Sequence, residues 1–311
     1  MNRYPQPTDF QSERIEPQRK RPIFETSRLR LLPALLIPIL VSYVFDMIMS
    51  EIAFEIYSTQ SSMLGFDLYR LLSPVIAITL SCLCAFLFCN SKKEGMMLLG
   101  LRCFVSAVFN VPGDIAAFFA DNESGVYEIS TGVISFLSFA ALIALALFLT
   151  KSGEKADFPE PENGFFSVKR KRLVLAAGSI TGLRYLVPIF IATILSRPSI
   201  NIDSLMIIRI QNLTDGVLFL ALAAFFCARI IRSRRESLIF FGVFLIGDFV
   251  YRLFDAAIQV IKADFGINAE QFNILSIIKI CLVIALEVFI VFLLTKEKKA
   301  PETAEQISDE F

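Results

Sequence analysis

Eight stretches of almost unbroken apolar residues divide the chain, near positions 31–50, 69–89, 96–119, 129–150, 173–195, 206–229, 237–261 and 273–295. About 20 helical residues cross a hydrocarbon core of about 30 Å. The pattern therefore predicts an all-α polytopic membrane protein with eight transmembrane helices. It divides the chain into a tail over 1–30, a four-helix membrane unit over 31–150, a linker over 151–172, a second four-helix unit over 173–295 and a tail over 296–311. The N-terminal tail is rich in Pro, Gln and Glu and has no apolar period, so disorder is expected. It is also too long and too acidic for the n-region of a cleaved signal peptide, which makes Leu31 the start of a retained span.

The polar connections separate by sign. Arg19, Lys20, Arg21, Arg28 and Arg30 precede span 1, Lys92 and Lys93 precede span 3, Lys169 to Arg172 precede span 5, Arg232, Arg234 and Arg235 precede span 7, and Lys296, Lys298 and Lys299 follow span 8. The alternate connections carry Glu51, Glu55, Asp121, Glu123, Glu128, Asp203, Asp264 and Glu270 with few basic residues. The positive-inside rule predicts that both tails are cytoplasmic, which requires an even number of spans and fits a plasma (inner) membrane protein.

Composition adds exclusions. Of the residues 55% are apolar and 19% charged, with 30 basic against 30 acidic, and the net charge of zero conceals their separation along the chain. His is absent, which removes Ser-His-Asp, Cys-His and HExxH chemistry. All six cysteines lie inside or beside apolar runs, where thiols pack as small hydrophobes, so neither a disulfide scaffold nor a metal site is predicted. The basic clusters are short and sit where topology needs them, so nucleic acid is not an expected partner, whereas the lipid bilayer is. No cofactor is indicated.

An internal repeat is suggested by SKKEGMMLLG from Ser91 and SRRESLIFFG from Ser233, 142 residues apart, with Gly100 and Gly242 aligned. Further echoes are Ile37-Pro38-Ile39 with Val187-Pro188-Ile189, and FLTK from Phe148 with LLTK from Leu293. Two units that both enter from the cytoplasm would be parallel repeats about an axis along the membrane normal.

Charges within hydrocarbon are costly, and they usually face the bundle interior or a water-filled cavity. In span 7, Asp248, Arg252, Asp255 and Gln259 form one stripe with Tyr251 beside it, and Arg252 is expected to pair with Asp248 and Asp255. Span 6 adds Arg209, Asn212 and Asp215, span 5 adds Arg184, and span 8 adds Lys279 and Glu287. The first half offers Asp46 in span 1 with Arg102 and Asn110 in span 3, and Pro112-Gly113-Asp114 is expected to break span 3. These residues are the candidates for a substrate or ion path, with Asp215 and Asp248 as proton or cation sites and Arg184 and Arg252 as anion sites.

Three functions fit. A small transporter or exporter would use the parallel units and the charges between them to move a small solute or lipid. A non-catalytic sensor or scaffold would use the tails. The third is an intramembrane enzyme. The stretch GVFLIGD from Gly242 resembles the Gly-x-x-Phe-x-x-x-Gly-Asp signature of the lysoplasmalogenase-like family of eight-span proteins, with Phe two positions after Gly242. That resemblance implies an ether-lipid hydrolase whose site is completed by an Asp-containing motif in the other half. Here Ser106 stands at the matching place, and the family's usual His is missing.

Overall fold

In a computed structural model the described residues are 21–60, 64–119, 125–150, 153–154, 165–196, 203–231, 233–265 and 269–295. The predicted tail falls outside them up to residue 20, as do most of the linker and the C-terminal tail. Eight helices follow one another: α1 (Arg28–Gln60), α2 (Leu64–Phe88), α3 (Lys92–Phe119), α4 (Gly125–Leu149), α5 (Arg170–Leu195), α6 (Ser204–Arg229), α7 (Arg234–Phe265) and α8 (Ala269–Leu294). Two-residue strands, β1 (Arg21–Pro22) and β2 (Gly153–Glu154), pair antiparallel outside the bundle. Each helix holds a stretch long and apolar enough to cross a membrane, and the chain is a multi-pass membrane protein.

Helices satisfy every backbone polar group internally, which is why apolar segments of this length fold so in lipid. Pro33, Pro38, Pro74, Pro112 and Pro188 all lie inside helices. In particular α3 runs through Pro112 and Gly113 without the expected break. The 33 residues of α1 span about 50 Å at 1.5 Å per residue. This helix therefore overshoots the hydrocarbon and carries Glu51 and Glu55 beyond it. The helices are lined outside with apolar side chains such as Phe136, Phe148, Leu175, Phe190 and Phe225, each more than half exposed, as lipid contact requires.

We call the face where α1, α3, α5 and α7 begin proximal and the other distal. The centre is the α3–α7 pair; α6 packs on α3 and α2 on α7, while α5 and α8 pack together and on α6 and α7 respectively. A Cβ at Gly100 would overlap the Leu238 carbonyl oxygen, and one at Gly242 the Met96 carbonyl oxygen. Only glycine permits both approaches, and adding 142 to Gly100 and Met96 gives Gly242 and Leu238.

The same offset recurs at the proximal face. Glu25 N–H donates to Glu94 Oε1 at 2.5 Å, and Ser167 N–H donates to Glu236 Oε1 at 2.7 Å. Arg28 Nε donates to Thr150 Oγ1 at 3.0 Å and Arg170 Nε to Thr295 Oγ1 at 2.9 Å, arginines 142 residues apart whose threonine acceptors are 145 apart. Phe24 and Phe166 are both buried, as are Leu31 and Leu173. The segments before α1 and α5 are thus straps that tuck an aromatic ring beneath the bundle. They close the proximal end over a core in which Met97, Leu101, Ile239, Phe240 and Phe244 are almost wholly inaccessible.

Candidate functional site

Beyond that core, toward the distal face, charged side chains of α5, α6 and α7 meet. Arg184 grips Asp215 with two parallel bonds, Nε to Oδ1 at 2.7 Å and Nη2 to Oδ2 at 3.0 Å, and Nη2 also donates to Asp248 Oδ1 at 3.1 Å. Arg252 Nε donates to Asp248 Oδ2 at 2.9 Å, one turn along α7. Asp248 further accepts from the Tyr185 hydroxyl at 3.4 Å. Three donors on one carboxylate, two of them guanidinium, make Asp248 the hub. The two aspartates take bonds of 3.0 and 3.1 Å from the same nitrogen, so those oxygens stand at most about 6 Å apart.

Aromatic rings extend the network. The Arg184 guanidinium lies 4.5 Å from the Phe219 ring centroid and 4.8 Å from that of Tyr185. Tyr185 stacks on Tyr251 at 4.0 Å, and Lys279 sits 3.9 Å over Tyr251 while its Nζ contacts Asp255 Oδ1 at 2.6 Å. Cation–π attraction of this kind grows where water is excluded, and Lys279 is 4% exposed. Asp255 thus pairs across helices with Lys279, where the spacing on α7 suggested Arg252.

A cavity of about 210 Å³ opens beside the network, lined by Arg184, Asp215, Asp248 and Arg252 together with Ser106, Asn110 and Asp114 of α3 and Asn212 of α6. Arg252 also lines a second, wider cavity of about 660 Å³ between α2 and α7, where Arg70, Ser73, Asp255 and Gln259 contribute. Asp114 belongs to the first cavity because α3 stays helical past Pro112. Its Oδ2 lies beside Gly216 of α6, 3.5 Å from where a Cβ of that glycine would be.

The remaining candidates lie apart. Asp46 accepts from the Ser73 hydroxyl at 2.6 Å between α1 and α2. Arg102 donates to the Ser81 hydroxyl beside the α1–α2–α3 core. Arg209 lines neither cavity. Glu287 is 2% exposed, accepts from the Thr181 hydroxyl, and lies against Gly247 so closely that a Cβ there would overlap its Oε1. The glycines of GVFLIGD therefore each have a packing role, Gly242 on Met96 and Gly247 on Glu287.

Counted at the 142-residue offset, Arg184, Asp215, Asp248 and Arg252 correspond to Ser42, Ser73, Ser106 and Asn110. The charges are concentrated in the second half, facing neutral hydroxyl and amide groups of the first. Tyr185, Asp114, Ser73 and Arg70 are the site residues that spacing on single helices did not find, because each reaches the site through packing between helices. Among the described residues no group of three His, Cys, Asp or Glu side chains is placed to hold a metal. All six cysteines are free thiols. At the proximal end of α2, burial and the nearby Glu94 charge push the Cys89 thiol up to about 12.

Comparison with family models, with curated proteins and with solved structures returns no match. Fold and site together define a multi-pass helical membrane protein with a charged cavity held among four of its eight helices.

Proposed function

We propose that the protein is a small membrane transporter or exporter whose solute occupies the cavity between α3, α5, α6 and α7. The observation that carries this reading is the one-sided arrangement of polar space. Arg252 lines both the inner cavity and the wider one, while toward the proximal face the glycine crossing and the buried phenylalanines intervene. A site accessible from one side, with a packed barrier on the other, is one state of an alternating-access cycle. The protein lies in the plasma membrane with both tails cytoplasmic, and its halves are parallel repeats about an axis along the membrane normal. The shared offsets at Glu94 and Glu236 and at Gly100 and Gly242 support that duplication.

Flux of radiolabelled solutes into liposomes containing the purified protein tests this. The informative variant is Ala107→Leu, which fills the cavity without touching a charge. Substrate flux at least about tenfold below wild type, the equivalent of 1.4 kcal/mol, is expected with insertion and thermal stability retained. Wild-type flux in that variant removes the cavity from the path.

The second reading, an intramembrane lipid hydrolase, rests on the closeness of the Asp215 and Asp248 carboxylates. Both are engaged by guanidinium groups, which suits charge compensation better than general-base work. Turnover of an ether lysolipid by the reconstituted protein, with no solute flux, would reverse the order of the two readings.

A further inference from the structure

The polar groups of the cavity are unequally satisfied. Asp215 and Asp248 are occupied by Arg184 and Arg252, so the two guanidiniums and two carboxylates balance. Two polar ends remain. Asp114 lines the cavity, and no described residue forms a hydrogen bond or ion pair with its carboxylate. Arg252 uses only Nε, leaving the Nη1–Nη2 edge of a 63% exposed side chain, which lines both cavities, without a partner among the described residues. The same cavity is lined by Ser106, Asn110 and Asn212, neutral groups that both donate and accept.

An anion alone would face the Asp114 charge, and a cation alone the Arg252 fork. A molecule carrying both signs satisfies each end and brings no net charge into the bilayer interior. A cavity of about 210 Å³ has room for several waters, the scale of a small polar solute.

We propose that the cavity binds a small zwitterion, its carboxylate or phosphate on the free edge of Arg252 and its ammonium on Asp114. This deepens the transport reading and rests on the same cavity. The same paired charges occur on a free solute and on a zwitterionic lipid headgroup, and the free solute is favoured because the polar groups surround a compact space.

The test is direct binding to detergent-purified protein by equilibrium dialysis and thermal shift. The probes are glycine, β-alanine, 4-aminobutyrate and O-phosphoethanolamine, with butyrate and butylamine as singly charged controls and lysophosphatidylethanolamine in mixed micelles as the lipid arm. At least one zwitterion is expected to bind ten times more tightly than either control. Asp114→Asn and Arg252→Gln should each weaken it at least tenfold. Among the described residues Asp114 has no partner to strand, so Asp114→Asn is expected to keep the fold, and the melting transition without ligand verifies this. Binding by the lysolipid but not by O-phosphoethanolamine retains the charge pairing and assigns the source to lipid. Failure of every zwitterion to exceed the controls, or unchanged binding in both variants, overturns the proposal. Liposome flux separates the two readings: binding without flux refutes transport and leaves the zwitterion site standing. Flux indifferent to Asp114 and Arg252 does the reverse.

Discussion

Glu236 presents one carboxylate oxygen to the Ser167 amide, and among the described residues its Oε2 has no hydrogen-bond partner although it is buried. The cause lies in a single residue of the strap. In the first half, Glu94 spends its second oxygen on the Thr26 hydroxyl, and the residue 142 positions after Thr26 is Val168. Valine matches the shape and lacks the donor. An unsatisfied buried acceptor costs about 1–3 kcal/mol, and a net hydrogen bond contributes about 1. Val168→Thr is therefore expected to stabilise the protein by about 1 kcal/mol, read as a higher unfolding midpoint in detergent. Thr26→Val should lose a similar amount by creating the same defect at Glu94. A Val168→Thr protein no more stable than wild type would mean that the Glu236 strap is not built as the Glu94 strap is. The reciprocal case is Arg184, where removal leaves two carboxylates of the network short of a partner. Arg184→Gln should destabilise by about 3–5 kcal/mol, measured by chemical unfolding in micelles.

At the scale of elements, the α3–α7 crossing decides whether the cavity exists, because Gly100 and Gly242 bring the two backbones into contact below it. A side chain at either position meets a carbonyl oxygen of the opposing helix, and backbone cannot rotate away as a side chain can. Gly242→Val should cost about 1–3 kcal/mol or more through overpacking, whereas Gly132→Val on α4, with open space around its Cβ position, should be nearly neutral. Equal melting midpoints for the two variants would contradict the crossing. Much of this was legible in the sequence. Eight apolar runs gave eight helices, the SKKEG and SRRES segments marked the glycine pair, and the four-residue spacing of Asp248 and Arg252 predicted their bond. What spacing along one helix cannot encode is the choice of partner across helices. Asp255 meets Lys279 and Arg184 meets Asp215 because of how α5, α6, α7 and α8 lean together. Asp114 was overlooked for a related reason. Pro112-Gly113 suggests a helix end by soluble-protein rules, and α3 continues through it where hydrocarbon favours helical backbone. The Pro38 and Pro188 echo is 150 residues apart and out of register with the 142-residue offset shared by the straps and glycines, so it carries no structural correspondence.

For the molecule as a whole, access to the cavity is the property that separates a transport path from a sealed charge network, and it can be read without knowing the solute. Asn110 is exposed and lines the inner cavity, Gln259 lines the outer one, and Met97 is 1% exposed in the core beneath them. Single cysteines at these places should differ in their reaction with a membrane-impermeant maleimide. Cys103, 7% exposed and also lining the cavity, is first replaced by Ala to keep the background low. The Cys89 thiol, pushed up to about 12, holds little of the reactive thiolate at pH 8 and adds no signal. Gln259→Cys should label fastest from the distal side, Asn110→Cys from that side more slowly, and Met97→Cys from neither. The proposed cytoplasmic tails would put the distal side outside the cell, so labelling in intact cells tests orientation as well. The sealed network predicts silence at Asn110 from both sides. A transporter predicts more: when the substrate is present, labelling at Asn110 should fall from one side and appear from the other, as the Gly100–Gly242 crossing and the two straps yield to a second arrangement of the same eight helices.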